Sequence, residues 1–212
     1  MARSDTTSWQ ETFRAAGSGL VAALGRVPGR VVMVTGAARG EGRTTACAGM
    51  ARAMAQTGMR VVAVDLDLRR PDLHRALGAA NPLGASEVLG GIKSLPECLQ
   101  RLSAAPAGPA ADERSLHLLA AGDPPADPGG LFSADALGGL LGDLAAGADL
   151  VLVDTPPLLP FADGRIIGAH TAGAVVVVQE RRTRASSLDD VAAALRVSGI
   201  PALGVLYNQE RR

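Results

Sequence analysis

The sequence predicts a doubly wound α/β fold on a mostly parallel sheet. Three observations predict it. Six apolar runs of strand length recur at wide intervals, over residues 31–35, 61–65, 116–120, 150–154, 174–179 and 202–207. Most lack apolar–polar alternation, as expected of strands covered on both faces. Helix-like segments separate them, and strand–helix alternation with right-handed crossovers pairs strands in parallel. Finally, a Gly-rich turn follows the first run and opens straight into a helix-like stretch.

Taken in order, residues 1–28 form an N-terminal helical segment, with a helix over 12–24 weakened by Gly17 and Gly19. Residues 29–212 form one domain without internal repeats. Residues 44–57 are rich in Ala and Met and close on Gly58, a helix stop. Residues 133–146 carry Leu137, Leu140, Leu141 and Leu144 at helical spacing. Residues 186–197 open on Ser186, hold Asp189 and Asp190 in the first turn and are followed by Gly199. Residues 103–113 (SAAPAGPAADE) and 122–130 (GDPPADPGG) read as loops without regular structure.

Composition narrows the function. The 212 residues are enough for a core without disulfides or metals. Lys+Arg and Asp+Glu are both 21, so the net charge is zero, which argues against a nucleic-acid binder. Aromatics are 2%, too few to stack on single strands. Lys93 is the sole lysine; every other base is Arg. Cys47 and Cys98 have no CxxC spacing and read as reduced thiols of a cytosolic protein. No apolar stretch approaches the roughly 18 residues of a membrane span. The expectation is a soluble, cytoplasmic protein that reaches the inner face of the membrane only through a partner. His74, His117 and His170 share no metal-ligand spacing.

The most informative segment is 31–45, VVMVTGAARGEGRTT. It is a strand, a Gly-rich turn and a helix start. Such a turn aims backbone N–H groups and a helix N-terminus at one point, which suits a phosphate chain. Gly40 and Gly42 allow close backbone approach. The candidate cradle is Ala38, Arg39, Gly40, Glu41, Gly42, Arg43, Thr44 and Thr45, with the Thr44 hydroxyl placed for Mg²⁺. The pattern is A-x-x-x-x-G-R-T, and the usual P-loop has Lys where Arg43 stands.

Two more strands end in acids. VVAVDLDLRRP puts Asp65 and Asp67 at a carboxyl end, where ligand sites of parallel sheets lie. These acids can hold Mg²⁺ or take a proton from an attacking hydroxyl. Equally, they can cap the next turn and pair with Arg69 and Arg70. LVLVDTPP ends in Asp154 and has the form of a Walker-B strand, with Asp154 a candidate Mg²⁺ contact. Asn208 after the last strand suits either an adenine edge or a strand cap. Residues 180–184 (ERRTR) read as a solvated loop. Cys47 reads as packing.

These motifs resemble the bacterial tyrosine kinases of capsule and exopolysaccharide biosynthesis, the cytoplasmic autokinase type. The resemblance runs from Glu11 to Asn208 and includes DLDLRRPDLHRALG, LHLLAAGDPPADPGGLF and LVLVDTPPLLPFAD. It implies a P-loop NTPase fold of the MinD and tyrosine-kinase type, a three-layer sandwich. It implies ATP and Mg²⁺ as cofactors, with Arg43, Asp65 and Asp67 catalytic and Thr44, Asp65 and Asp154 at the metal. It also implies a separate membrane activator, a protein tyrosine substrate in trans, and homo- or hetero-oligomers.

The departures matter as much. Arg43 replaces a compact ammonium by a larger planar cation, a non-conservative change at a tight site. The tail of clustered tyrosines is missing; Tyr207 is the sole tyrosine and is expected to be buried in an apolar strand. The ring-forming E-x-x-R-x-x-R pattern matches at Glu11 and Arg14, but Gly17 replaces its second Arg. The leading expectation is an ATP-dependent tyrosine kinase. The alternative is a catalytically impaired regulatory pseudo-kinase. A MinD/ParA-type partition ATPase is third, with Ala38, where those proteins carry an extra Lys, arguing against it.

Overall fold

The computed structural model describes residues 3–25, 30–103 and 115–209. The expected domain boundary at 28/29 and all but the first residue of the 103–113 loop lie outside the described residues. The described chain runs α1 (Arg3–Leu24), β1 (Arg30–Gly36), α2 (Arg43–Ala55), β2 (Val61–Asp65), α3 (Leu73–Ala76), α4 (Ala85–Leu89), α5 (Leu95–Cys98) and β3 (Leu99–Ser103). It continues with β4 (Ser115–Leu119), a 3₁₀ turn (Gly129–Leu131), α6 (Ala134–Gly147), β5 (Leu150–Asp154), α7 (Asp163–Gly168), β6 (Gly173–Gln179), α8 (Ala185–Val197) and β7 (Ala202–Asn208).

The sheet order is β3-β4-β2-β5-β1-β6-β7. Every pairing is parallel except β3 with β4. The expected doubly wound α/β class is therefore observed, and all six expected strands are present. Val32 and Val34 of β1 pack with α1 and α2 on one face. On the other face Val31 packs with α6, and Met33 with α8. Each central strand buries both faces, which is why alternation is missing.

The sequence carries no local signal for β3. Its half-exposed residues start directly after α5 with no turn signal, and only the pairing with β4 makes them a strand. The short helices α3, α4, α5 and α7 span four to six residues, too few for a periodic pattern. The 122–130 segment was expected to hold no regular structure. Its last two residues instead enter the 3₁₀ turn, because Pro128 sits at φ −59°, already near helical.

Tyr207 is not buried. Tyr207 is 55% and Val205 68% exposed, because β7 is an edge strand paired only with β6. Apolarity marked the strand; its place at the edge is a property of the sheet order.

The N-terminal helix begins earlier than expected and lies across α2. Gly17 of α1 and Gly49 of α2 are contacts rather than defects, whereas a Cβ on Gly19 would meet nothing within 4 Å. A Cβ on Gly49 of α2 would stand 2.3 Å from the Phe13 ring, and one on Gly17 would stand 2.3 Å from Met54 Cε. Gly17 thus lets the two helices approach. Gly49→Ala is expected to push the buried Phe13 ring off α2 and cost about 1–3 kcal/mol. Urea denaturation would measure it, and a loss near zero would show that α1 re-seats freely.

Candidate functional site

The loop between β1 and α2 turns on two left-handed glycines, Gly40 at φ 79° and Gly42 at φ 89°. Between them Glu41 folds inward and is fully buried. Its Oε2 accepts the Ala38 N–H at 3.0 Å, and a Cβ on Gly36 would stand 2.3 Å from that oxygen. The Ala38 N–H and the Glu41 side chain are therefore used inside the loop and do not line the cleft. Arg39, Gly40, Gly42, Arg43, Thr44 and Thr45 do line it. Asp67, Arg70, Asp72 and Arg75, from beyond β2, form the facing wall of a cleft of about 710 Å³. Four guanidiniums against two carboxylates make it cationic. Asn208 reaches the loop from the end of β7: its Nδ2 donates to the Glu41 carbonyl at 3.3 Å and lies 2.5 Å from where a Gly42 Cβ would be.

Arg43, which lines the cleft, and Asp154, buried beside Thr44 and Arg43, carry polar groups that the protein leaves unmatched. Among the described residues, six buried side-chain N or O atoms lack a hydrogen-bond partner, and four belong to Arg43 and Asp154. Arg43 is 7% exposed; its Nη2 lies 3.5 Å from Asp67 Oδ2, while Nε and Nη1 have no acceptor. Asp154 is 1% exposed, and neither oxygen meets hydrogen-bond geometry with a protein donor. Burial pushes its pKa up to about 7, opposed by the Thr44 hydroxyl and Arg43 beside it. Burial also raises Asp67, against the pull of Arg43.

Asp65 and Asp154 face each other in register across β2 and β5. Asp65 is fully buried, and its pKa is driven well up by burial and by Asp154. Its oxygens are already engaged: Oδ1 accepts from Asp67 N–H at 3.1 Å, and Oδ2 from Asp72 and Leu73 N–H at 3.1 and 3.0 Å. Asp65 thus caps the turn that carries Asp67. The alternative pairing with Arg69 and Arg70 does not form. Arg69 bonds Asp163 at 2.6 Å and lies 4.6 Å from the Phe161 ring centre; Arg70 gives Asp67 only its backbone N–H. Cys47 is buried and its thiol pKa is raised by burial, as packing requires.

Two residues of the expected solvated loop at 180–184 touch the phosphate loop. Arg182 Nη1 donates to the Gly40 carbonyl at 3.3 Å, and the Thr183 hydroxyl donates to Glu41 Oε1. Their one sequence signal was position, at the carboxyl end of a strand; that β6 neighbours β1 follows only from the sheet order.

Among the described residues no group of three or more His, Cys, Asp or Glu could hold a metal unaided. Thr44 and the unmatched Asp154 oxygens suit a cation that keeps waters and phosphate oxygens as its other ligands, the habit of Mg²⁺.

Residues 32–211 match the family model of the CobQ/CobB/MinD/ParA nucleotide binding domain. The tyrosine-protein kinase YwqD of Bacillus subtilis is 33% identical over 180 residues, 85% of this chain and 72% of that protein. The chain belongs to this family, on its bacterial tyrosine-kinase branch. Its similarity to the tyrosine-protein kinase wzc of Salmonella typhi is 28% over 93% of the chain, which spans only about a quarter (26%) of that protein. The kinase domain of Escherichia coli tyrosine kinase ETK superposes at a TM-score of 0.85 with 26% identity, covering 96% of this chain and 77% of that one. MinD of Pyrococcus furiosus shares the fold at 0.69 and 22% identity, over 85% of this chain and 72% of its own. The P-loop NTPase fold of this tyrosine-kinase branch is thus the scaffold that carries the cleft. Among the described residues no helix is long and apolar enough to cross a membrane.

Proposed function

We propose that this chain is a Mg²⁺–ATP-dependent protein-tyrosine kinase of the kind that regulates capsule or exopolysaccharide synthesis and export. The unmatched groups of Arg43 in a cationic cleft, and of Asp154 buried behind its Thr44, carry the reading. Two buried guanidinium donors await an acceptor, and two buried carboxylate oxygens await a cation. Mg²⁺–ATP supplies both in one ligand. The backbone N–H groups of residues 39–45 would cradle its phosphates, Thr44 and Asp154 would hold the metal, and Asn208, whose amide donates to the Glu41 carbonyl, would be the candidate contact for the base. Bound Mg²⁺ would neutralise charge on the outer phosphates.

Asp67 is the base of choice. It lines the cleft, whereas Asp65 is engaged in its turn. Burial raises the affinity of Asp67 for a proton, as a base requires. The substrate tyrosine, from another chain, would give its hydroxyl proton to Asp67. Its oxygen would bond to the γ-phosphorus as the bond to the β,γ-bridging oxygen breaks, and ADP would leave. A separate membrane activator would bring this cytoplasmic chain to the inner face of the membrane.

The contact between Arg43 and Asp67 favours the pseudo-kinase as second reading, since the guanidinium occupies the base. Calorimetric titration with Mg²⁺–ATP tests both. A dissociation constant on the order of micromolar is expected. No heat from folded protein would end the nucleotide reading. Binding without transfer to any tyrosine peptide would select the pseudo-kinase.

A further inference from the structure

Strand β6 lies beside β1, so the turn after β6 meets the phosphate loop after β1. This turn is tightly made. The Gln179 carbonyl accepts from Arg182 and Thr183 N–H at 3.2 and 3.0 Å, and Glu180 N–H is tied to the Asn208 carbonyl at 2.9 Å. Arg181 sits at φ 62°, the one left-handed non-glycine among the described residues. Such a conformation persists only where its surroundings enforce it.

Thr183 does two jobs there. Its Oγ1 accepts the Gln179 N–H at 3.0 Å, which fixes the hydroxyl to the turn. The same hydroxyl donates to Glu41 Oε1. Glu41 Oε2 in turn holds the Ala38 N–H, so the carboxylate bridges the turn and the first residues of the phosphate loop. Alongside, Arg182 holds the Gly40 carbonyl, its guanidinium 2.7 Å from where a Gly40 Cβ would stand. The loop is gripped at Ala38, Gly40 and Glu41, and of these only Gly40 lines the cleft. A fully buried carboxylate with two protein donors has no water to replace a lost one.

We propose that Thr183 is a positioning residue for the phosphate loop. Through Glu41 it holds the backbone N–H groups of residues 39–45 in the arrangement that receives a nucleoside triphosphate. Residues 179–184 are thus a latch on the loop, not a solvated connection. The inference rests on the nucleotide reading for its ligand, but not for its mechanics.

The experiment uses the full chain with Thr183→Val, which keeps shape and loses the hydroxyl, and Thr183→Ser, which keeps the hydroxyl. Amide exchange at Ala38, read by NMR without nucleotide, should quicken at least tenfold in the valine variant and return to the wild-type rate in the serine variant. ATP affinity should fall about tenfold (about 1.4 kcal/mol) in the former and recover in the latter. Urea midpoints control for global stability, which a hydroxyl merely supporting the fold would lower in step with exchange everywhere. Unchanged Ala38 exchange in Thr183→Val overturns the latch. Faster exchange with undiminished ATP affinity overturns the positioning role. Were the wild-type chain to bind no ATP, the nucleotide reading would fall, and Ala38 exchange alone would decide the latch.

Discussion

Replacing Arg43 with alanine is expected to weaken Mg²⁺–ATP binding at least about 100-fold, or roughly 2.7 kcal/mol. The buried guanidinium keeps Nε and Nη1 free of any protein acceptor, and Nη2 touches only Asp67. Hydrogen bonds to a charged partner contribute about 1.5–3 kcal/mol each, so losing two donors to phosphate exceeds any other single change in the cleft. AMP, which lacks the outer phosphates, should lose much less. Arg43→Lys separates binding from chemistry. Lysine would release Asp67 and present a compact ammonium, so phosphate transfer should rise at least about tenfold while affinity stays within a few-fold. Calorimetry and a tyrosine-peptide transfer assay would measure both. ATP binding indifferent to Arg43→Ala would show that the guanidinium serves Asp67 alone.

Asp154→Asn should make the metal-free protein more stable, by about 2 kcal/mol or roughly 4–8 °C in melting temperature. A fully buried carboxylate beside a second one, Asp65, with only the poorly aligned Thr44 hydroxyl and the Arg43 charge to offset it, weakens the fold when charged. The pH dependence follows. The folded pKa of about 7 lies above the ordinary value of 3.8, so the folded state holds this proton more tightly than the unfolded chain. Stability from this group is full below about pH 4 and falls as pH rises to about 7. Asparagine should flatten that slope. It should also remove the stabilisation that Mg²⁺ with nucleotide gives the wild-type chain, because the neutral amide cannot replace the carboxylate. Thermal melts between pH 5 and 8, with and without Mg²⁺–ADP, would read all three effects. A destabilised Asp154→Asn would mean that the carboxylate already has a partner in solution.

Much of the site was legible because its parts are local. Gly40, Gly42, Arg43 and Thr44 lie within one turn of chain, and left-handed glycines before a helix have few other uses. Asp154 was legible because an apolar strand seldom ends in an acid without reason. Asp65 and Asp67 were found as a pair, but their division of labour was not. Two residues apart on a turn, one meets three backbone N–H groups and the other meets Arg43. Glu41 looked like part of the cradle and is instead the bolt inside it.

The sequence by itself determined the six strands, the phosphate loop and the three carboxyl-end motifs, since each depends on neighbours within a few residues of chain. Tertiary structure alone decided that Tyr207 is exposed on an edge, that Gly17 and Gly49 seat α1 on α2, and that Thr183 grips Glu41. Thr183 and Glu41 stand 142 positions apart in sequence. Their contact exists because β6 pairs with β1, and strand order is set by how the whole core packs. Patterning within a segment carries its own periodicity and turns, but not the identity of the segment that will lie beside it.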